Sequence, residues 1–408
     1  MTRKIVTIVL VILVLVSKSL GSVYLIPSPS DIEAYFVDNR SSYTGLIVSS
    51  IHGNEKLPSV VVKKLLYSLP NDLNYCLIVE PSRYRIKANR RETFEGLDPN
   101  RTFLNLFSIS SEFIVHQIVK YRPLFIIDIH QANKSDVDFM YAFGNFARIM
   151  FHIYQIDGSR FSDFKVLKSL YTPEFSRMIE LQREIENLSI ENFVASGYRV
   201  DRYVVSGRTD PYEAVSILRN LGAAYGIFSV LFELPFENPN SEKAIYKILP
   251  SYLKLLSSNA QKLQEYQYLS KNIQWQYFSS RFFIIPYEYS KSKNLVEFLN
   301  IFGIQTFEVG KSWLNMDGGV YKLIIKDLRA KNKREFRNFV YFTLDVTFEK
   351  IKENDHLYTS DKYYIVQSDI LSSFLLNPVY EESVWNFFVL PFSNKFLPVY
   401  IKVHNYNE

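Results

Sequence analysis

The sequence predicts an α/β fold, a mixed, mostly parallel sheet covered by helices, followed by a second, smaller α/β domain. Three observations carry this expectation. From Tyr43 onward, short β-branched apolar runs alternate with helical stretches, the pattern of parallel βαβ units whose sheet is covered on both faces. A chain of 408 residues is too long for one compact domain of ordinary size. After about residue 270 the alternation restarts. The expected division is a signal peptide over 1–22, a first domain over 23–268 and a second over 269–408.

Gly45 to Ile51 is short, continuous and β-branched, as a strand buried on both faces must be. Pro58 through Leu69 places Val61, Leu65, Leu66 and Leu69 on one helical face. Tyr75 to Glu80 is a second strand. A helix capped by Ser110 or Ser111 runs to about Tyr121, and Pro123 to Ile129 is a third strand. Thr172-Pro173-Glu174 gives a helix start with a cap, a proline in the first turn and an early acid, and Asp210-Pro211 opens another. Gly226 to Phe232 is a further strand, and a long helix is expected from Ser241 to about Tyr266. In the second domain, strands are expected at 282–286, 305–309 and 318–325, with a helix over 293–302.

Composition narrows the functional classes. The net charge of +5 is small for this length and no long block of like charge occurs, so a nucleic-acid partner is not indicated. Cys76 is the single cysteine. A metal in this chain must therefore be held by histidine and carboxylate. Arg3 and Lys4 precede an apolar run from Ile5 to Val16 and then the small-residue stretch Ser17 to Ser22. That is the order of a secretory signal, and the run is short for a membrane span. A secreted or extracytoplasmic protein is expected, with membrane anchoring through an uncleaved N-terminal segment as the alternative.

In open α/β sheets, ligands bind at the carboxyl ends of strands. Two of the six histidines sit there, His52 after Ile51 and His130 after Ile129. His52-Gly53-Asn54-Glu55 offers two metal ligands from one tight turn, and His130 on a neighbouring strand offers a third, leaving one position open for water. Asp128, two residues before His130, is a candidate to orient a ligand. The run Gly96-Leu97-Asp98-Pro99-Asn100-Arg101 brings an arginine and an amide suited to gripping a carboxylate. Arg90 and Arg91 offer cations, one of which would polarise a scissile carbonyl. Glu233 ends an apolar strand, a setting that raises a carboxyl toward a value useful for a base.

In this order, His-x-x-Glu, Gly-x-Asp-x-Asn-Arg, Asp-x-His and a strand-terminal Glu resemble the zinc carboxypeptidase family over residues 43 to about 265. The resemblance implies one zinc per chain on His52, Glu55 and His130, with Glu233 as the base. It implies that Asn100 and Arg101 grip the substrate's terminal carboxylate. It further implies that Arg90 or Arg91 stabilises the oxyanion, and Arg91 is assigned that role with Arg90 on the substrate. The family's mobile active-site tyrosine falls between Tyr198 and Tyr212, and Tyr203 is the choice. Glu80-Pro81 stands where the family usually has Asn-Pro, and Pro99 where it has Leu or Ala. Residues 375–400 resemble the C-terminal segment of larger members. The expected activity is hydrolysis of C-terminal peptide bonds on a peptide or cell-envelope peptide substrate. The alternatives are an amide deacylase of the aspartoacylase or succinylglutamate desuccinylase kind, which uses the same metal set, and an inactive binding protein that keeps the fold.

Overall fold

The computed structural model describes residues 22–29, 32–80, 89–92, 98–104, 106, 108–132, 135–160, 169–203, 215–288, 292–315, 319–327, 334–336, 339–341, 345–351, 361–376 and 396–403. The signal-like segment before residue 22, the helix start at Asp210-Pro211 and most of the tail (377–395) lie outside them. Among the described residues no helix is long and apolar enough to cross a membrane.

An eight-stranded sheet organises the chain, in the order β1-β2-β4-β3-β5-β8-β6-β7. Its centre is parallel: β4 (Asn74–Glu80), β3 (Thr44–Ser49), β5 (Phe125–Ala132) and β8 (Phe228–Pro235). These are the apolar runs that alternation in the sequence marked. Leu46, Ile47, Leu77, Ile78, Ile126, Ile127 and Val230 have lost almost all exposure, because helices cover both faces of a parallel sheet and leave no wet side. Antiparallel strands flank that centre. β1 (Ser22–Leu25) and β2 (Glu33–Asp38) extend one side, and β6 (Phe139–Phe143), paired in parallel with β7 (Val200–Arg202), extends the other.

The crossovers are α1 (Lys56–Leu65), α2 (Ile109–Tyr121) and α5 (Leu218–Ala224). Between β6 and β7 the chain forms α3 (Phe146–Arg160) and α4 (Pro173–Val194). Thr172 caps α4 as expected, its hydroxyl accepting from Phe175 N at 3.1 Å. The single helix expected over 241–266 is instead two, α6 (Pro239–Ser258) and α7 (Ala260–Phe278). Asn259 breaks them. Its φ of −107° and ψ of 20° leave the helical region, and its amide donates to Leu255 O at 2.9 Å. An asparagine side chain competes with the helix for backbone partners.

A second, smaller sheet has the order β10-β15-β9-β16-β11-β14, and every pairing in it is antiparallel. β9 (Arg281–Pro286), α8 (Ser292–Ile301) and β10 (Thr306–Gly310) are the elements the sequence indicated. β15 (Lys362–Gln367) returns between β9 and β10, so those two strands are not neighbours. β11 (Gly319–Asp327), β14 (Asp345–Lys350), β16 (Phe396–Val403) and α9 (Ile370–Leu376) complete the unit, and β12 (Arg334–Phe336) and β13 (Phe339–Tyr341) form a separate hairpin pair. One cluster of buried apolar residues runs from Leu46 and Ile127 through Tyr266 and Ile273 to Phe283, Leu299 and Phe374. The position 268/269 lies inside α7.

Candidate metal centre

The carboxyl ends of β3, β5 and β8 meet at one place. β5 and β8 run in parallel register with His130 opposite Glu233. β3 stops at Ser49, and Ser50 takes a left-handed conformation with φ of 55°. Ser50 N donates to Ile129 O at 3.2 Å, and its hydroxyl accepts from Ser59 N at 3.0 Å. That turn swings His52 and Glu55 over the end of β5 before α1 begins. All four site residues are buried, with His52 at 2%, Glu55 at 1%, His130 at 3% and Glu233 at 7% exposure.

His52, Glu55 and His130 each bring a ligand atom within 4.8 Å of the others. His52 Nδ1 lies 2.6 Å from Glu55 Oε1, and His130 Nδ1 lies 3.0 Å from Glu55 Oε2 and 3.2 Å from His52 Nδ1. The outer nitrogens face carboxylates. His52 Nε2 is 3.0 Å from Asp98 Oδ1. His130 Nε2 is 2.9 Å from Asp128 Oδ1, a charge contact without hydrogen-bond alignment. At His52 the hydrogen-bonded carboxylate fixes the outer proton and leaves the Nδ1 lone pair facing inward. That nitrogen, His130 Nδ1 and the Glu55 carboxylate crowd one spot, which is repulsive unless a proton or a cation fills it. The donor set fits a divalent metal with an open position, as two imidazoles and one carboxylate do in catalytic zinc sites.

The charges respond accordingly. Burial works to raise Glu55, but His52 and His130 outweigh it and hold the carboxyl well below the usual range. Asp98 is likewise held low against burial by His52, Arg101 and Arg91. Burial disfavours the charged form of His130, yet Asp128 and Glu55 raise it well above the ordinary imidazole value. Glu233 goes the other way. Burial pushes it up to about 8, helped by Glu55 and Asp128 and opposed by His130 and Arg91. Among the described residues its Oε2 has no hydrogen-bond partner.

Of the two adjacent arginines, Arg90 is exposed and Arg91 turns inward. Arg91 Nη1 donates to Glu55 Oε1 at 3.0 Å and Nη2 to Asp98 Oδ2 at 3.4 Å, so its fork clamps a ligand and the carboxylate behind another. Asn100 is buried in the short 3-10 turn Pro99–Arg101. Its Nδ2 reaches to 3.5 Å from His130 Nε2, and its Oδ1 accepts from Leu218 N at 3.1 Å, joining the turn to α5. Arg101 is part-buried and donates to Asn100 O at 2.6 Å. Tyr203, just after β7, donates its backbone N–H to Tyr141 O at 2.7 Å. Burial raises its phenol, and Glu233 raises it further while Arg219, Arg101 and Arg91 pull it down. Those influences place its hydroxyl in the field of the same site.

Two supporting roles escaped the sequence reading. Asp98 stands behind His52, and Gln131 donates its backbone N–H to Glu55 Oε2 at 3.2 Å while its side chain accepts from Leu57 N at 3.0 Å. The sequence signal at Asp98 was the Asp-Pro-Asn turn, in which its Oδ1 also accepts from Asn100 N. That signal speaks for the turn and not for a histidine 46 positions away.

No family model and no curated protein matches this chain. Solved structures do. A metallo-carboxypeptidase from Pseudomonas aeruginosa, in complex with (2-guanidinoethylmercapto)succinic acid, is 17% identical, with 60% of this chain and 64% of that one covered and a TM-score of 0.43. A metallo-carboxypeptidase from Burkholderia cenocepacia is 11% identical, covering 59% and 65%, with a TM-score of 0.42. A succinylglutamate desuccinylase/aspartoacylase from Rhodobacter sphaeroides is 16% identical, covering 58% and 65%, with a TM-score of 0.39. The structural neighbours are metallo-carboxypeptidase-like, with succinylglutamate desuccinylase/aspartoacylase proteins among them. The chain spans 64–65% of the length of these three structures.

Proposed function

We propose that this chain is a zinc-dependent metallocarboxypeptidase, secreted or extracytoplasmic, that releases the C-terminal residue of a peptide or cell-envelope peptide. The observation that carries the reading is Glu233: a buried carboxylate with no partner for Oε2 among the described residues, in register with His130 and beside two more inward-facing ligands. A carboxyl group so placed is costly to the fold, and a proton-transfer role accounts for it.

His52 Nδ1, His130 Nδ1 and the Glu55 carboxylate would hold the zinc, one per chain. When bound, it would acidify a water molecule and polarise the substrate carbonyl. Glu233 takes the proton from the attacking water and returns it to the departing amine. Asn100 and Arg101 receive the terminal carboxylate, an amide and a fork-shaped donor beside the ligands. Arg91 keeps Glu55 and Asp98 in place and adds positive charge where the carbonyl oxygen becomes negative, and Arg90 serves at the rim as a substrate contact. Tyr203 closes the site from the β7 side.

The test is metal content and hydrolysis of N-blocked dipeptides by the purified chain, with His130→Ala and Glu233→Gln variants. About one zinc per chain, lost in the first variant and retained in the second, is expected, and Glu233→Gln should lower kcat by roughly 10²–10⁴-fold. Cleavage of N-acyl amino acids with no action on peptides would move the activity to the amide deacylase class. Absence of zinc after reconstitution would leave a binding scaffold.

A further inference from the structure

β7 is three residues long and ends the eight-stranded sheet. Its ladder runs in parallel along β6, from Phe139 opposite Val200 to Tyr141 opposite Arg202, and Tyr203 N–H closes it on Tyr141 O at 2.7 Å. An edge strand this short has few hydrogen bonds of its own and frays unless its start is anchored. Yet it delivers Tyr203, a half-buried residue whose phenol lies in the field of Glu233.

The anchor is Asp138, the residue before β6, which is 4% exposed. Its carboxylate gathers three segments of the chain. Oδ2 accepts from Arg199 N at 3.0 Å, and Asp138 N donates in return to Arg199 O at 2.8 Å. Oδ1 accepts from Asn238 Nδ2 at 3.2 Å and from Asn240 Nδ2 at 3.3 Å. Asn238 Nδ2 also donates to Val137 O at 2.8 Å, while Asn238 Oδ1 caps α6 by accepting from Asn240 N at 2.9 Å. Both asparagines sit in the turn that follows β8, the strand of Glu233. The Arg199 guanidinium lies 3.6 Å from Oδ1 but is mostly exposed, so the charge pair adds little to the link. Burial works to raise the Asp138 carboxyl, but the donors from Arg199, Asn238 and Asn240 outweigh it and hold it below its ordinary value. Both oxygens therefore stay acceptors at neutral pH, where an amide in their place would offer one.

We propose that Asp138 is a positioning residue, whose carboxylate ties the start of β7 to β6 and to the β8–α6 turn and so holds Tyr203 at the metal centre. What that placement contributes to hydrolysis rests on the role given to Tyr203 above. The placement itself does not.

The test puts 3-fluorotyrosine at position 203 of the full, metal-free chain and reads its fluorine resonance. Wild type should give one signal, displaced from that of the urea-unfolded protein. Asp138→Ala should move it at least about halfway to the unfolded position, while the same label at the buried Tyr252 keeps its place. Asp138→Asn, which retains one accepting oxygen, should fall between. Gly45→Ala, which strains the sheet at β3, should leave the Tyr203 signal where it is. Should Asp138→Ala fail to fold, Asn240→Ala removes a single donor at an exposed residue and should give a smaller shift of the same sign. With zinc and an N-blocked dipeptide, Asp138→Ala should lower kcat/KM roughly fivefold or more, but less than about twofold on top of Tyr203→Phe. A Tyr203 signal that neither Asp138→Ala nor Asn240→Ala moves in the folded chain would overturn the proposal. So would joint movement of the Tyr203 and Tyr252 signals, or equal losses of activity in both backgrounds. Expected fluorine shifts in a chain that hydrolyses no peptide would instead overturn the peptidase reading and leave the placement standing.

Discussion

Replacing Glu233 by glutamine should make the metal-free protein more stable, and increasingly so as pH rises. The Glu233 carboxyl is 7% exposed and is raised from 4.5 to about 8 by burial first, then by Glu55 and Asp128. A group whose folded value exceeds its unfolded value adds stability below the unfolded value and loses it as pH climbs through the folded one. The window therefore runs from about pH 4.5 to pH 8. Each unit of displacement corresponds to about 1.4 kcal/mol, so the penalty grows by roughly 4 kcal/mol between pH 5 and pH 9. Glutamine has nearly the same shape and no charge to desolvate, and it escapes that penalty. His130, which opposes the rise of Glu233, is present in both proteins. Urea unfolding of chelator-treated wild type and Glu233→Gln at a series of pH values gives the two curves. Zinc should bring them together, because a nearby cation favours the carboxylate. A stability difference that does not change between pH 5 and pH 9 would refute the account of Glu233 as a strained, desolvated acid.

Loading the metal-free protein with zinc near pH 7 should expel protons, one from His130 and up to one from Glu233, since the first is raised well above the ordinary imidazole value and the second to about 8. Calorimetry in buffers of different ionisation enthalpy counts them, and Glu233→Gln should leave about one. Asp98→Asn removes the carboxylate behind His52 Nε2 and should weaken zinc about 10–100-fold, read by competition with a chromophoric chelator. Gly45→Ala would bring a methyl group to 2.3 Å from the Phe125 ring. Overpacking of that kind typically costs about 1–3 kcal/mol, measurable as a lower unfolding midpoint with metal affinity unchanged.

The parallel centre of the sheet was legible because its strands are buried on both faces and must be continuously apolar. Leu46 to Val48, Leu77 to Val79 and Ile126 to Ile127 announce themselves. The strand-end rule then located His52, His130 and Glu233 without any knowledge of contacts. The flanking strands were not legible. Glu33 to Asp38 and Val200 to Arg202 are short, mixed in polarity and at the margins of the sheet, where packing imposes no pattern. β6 is apolar but follows β5 within a few residues, and no helix between them signals its reversed direction. The continuous helical pattern of 241–266 concealed a break, since Asn259 signals one only through its backbone angles. At the site, the choice between Arg90 and Arg91 was beyond sequence, because adjacent residues differ only in which way the chain turns. Asp98 and Gln131 act through contacts between distant segments, which periodicity cannot report.

The charge balance explains why the cluster belongs at this end of the sheet. Glu55, Asp98, Asp128 and Glu233 are all buried, and Arg91 is the cation whose fork reaches into them. Among the described residues, Arg91 and, at Asp98, Arg101 offset these four carboxylates only in part, and unpaired charge held away from water costs several kcal/mol. Protons on His130 and Glu233 reduce the excess, and these are the two groups whose values are raised. A divalent cation among His52, Glu55 and His130 would reduce it further and free both protons. The same excess that makes the metal-free site costly would favour a bound metal. Because the parallel strands β3, β5 and β8 end side by side, the fold can gather these groups from distant positions while the apolar strands beneath carry the cost of burying them.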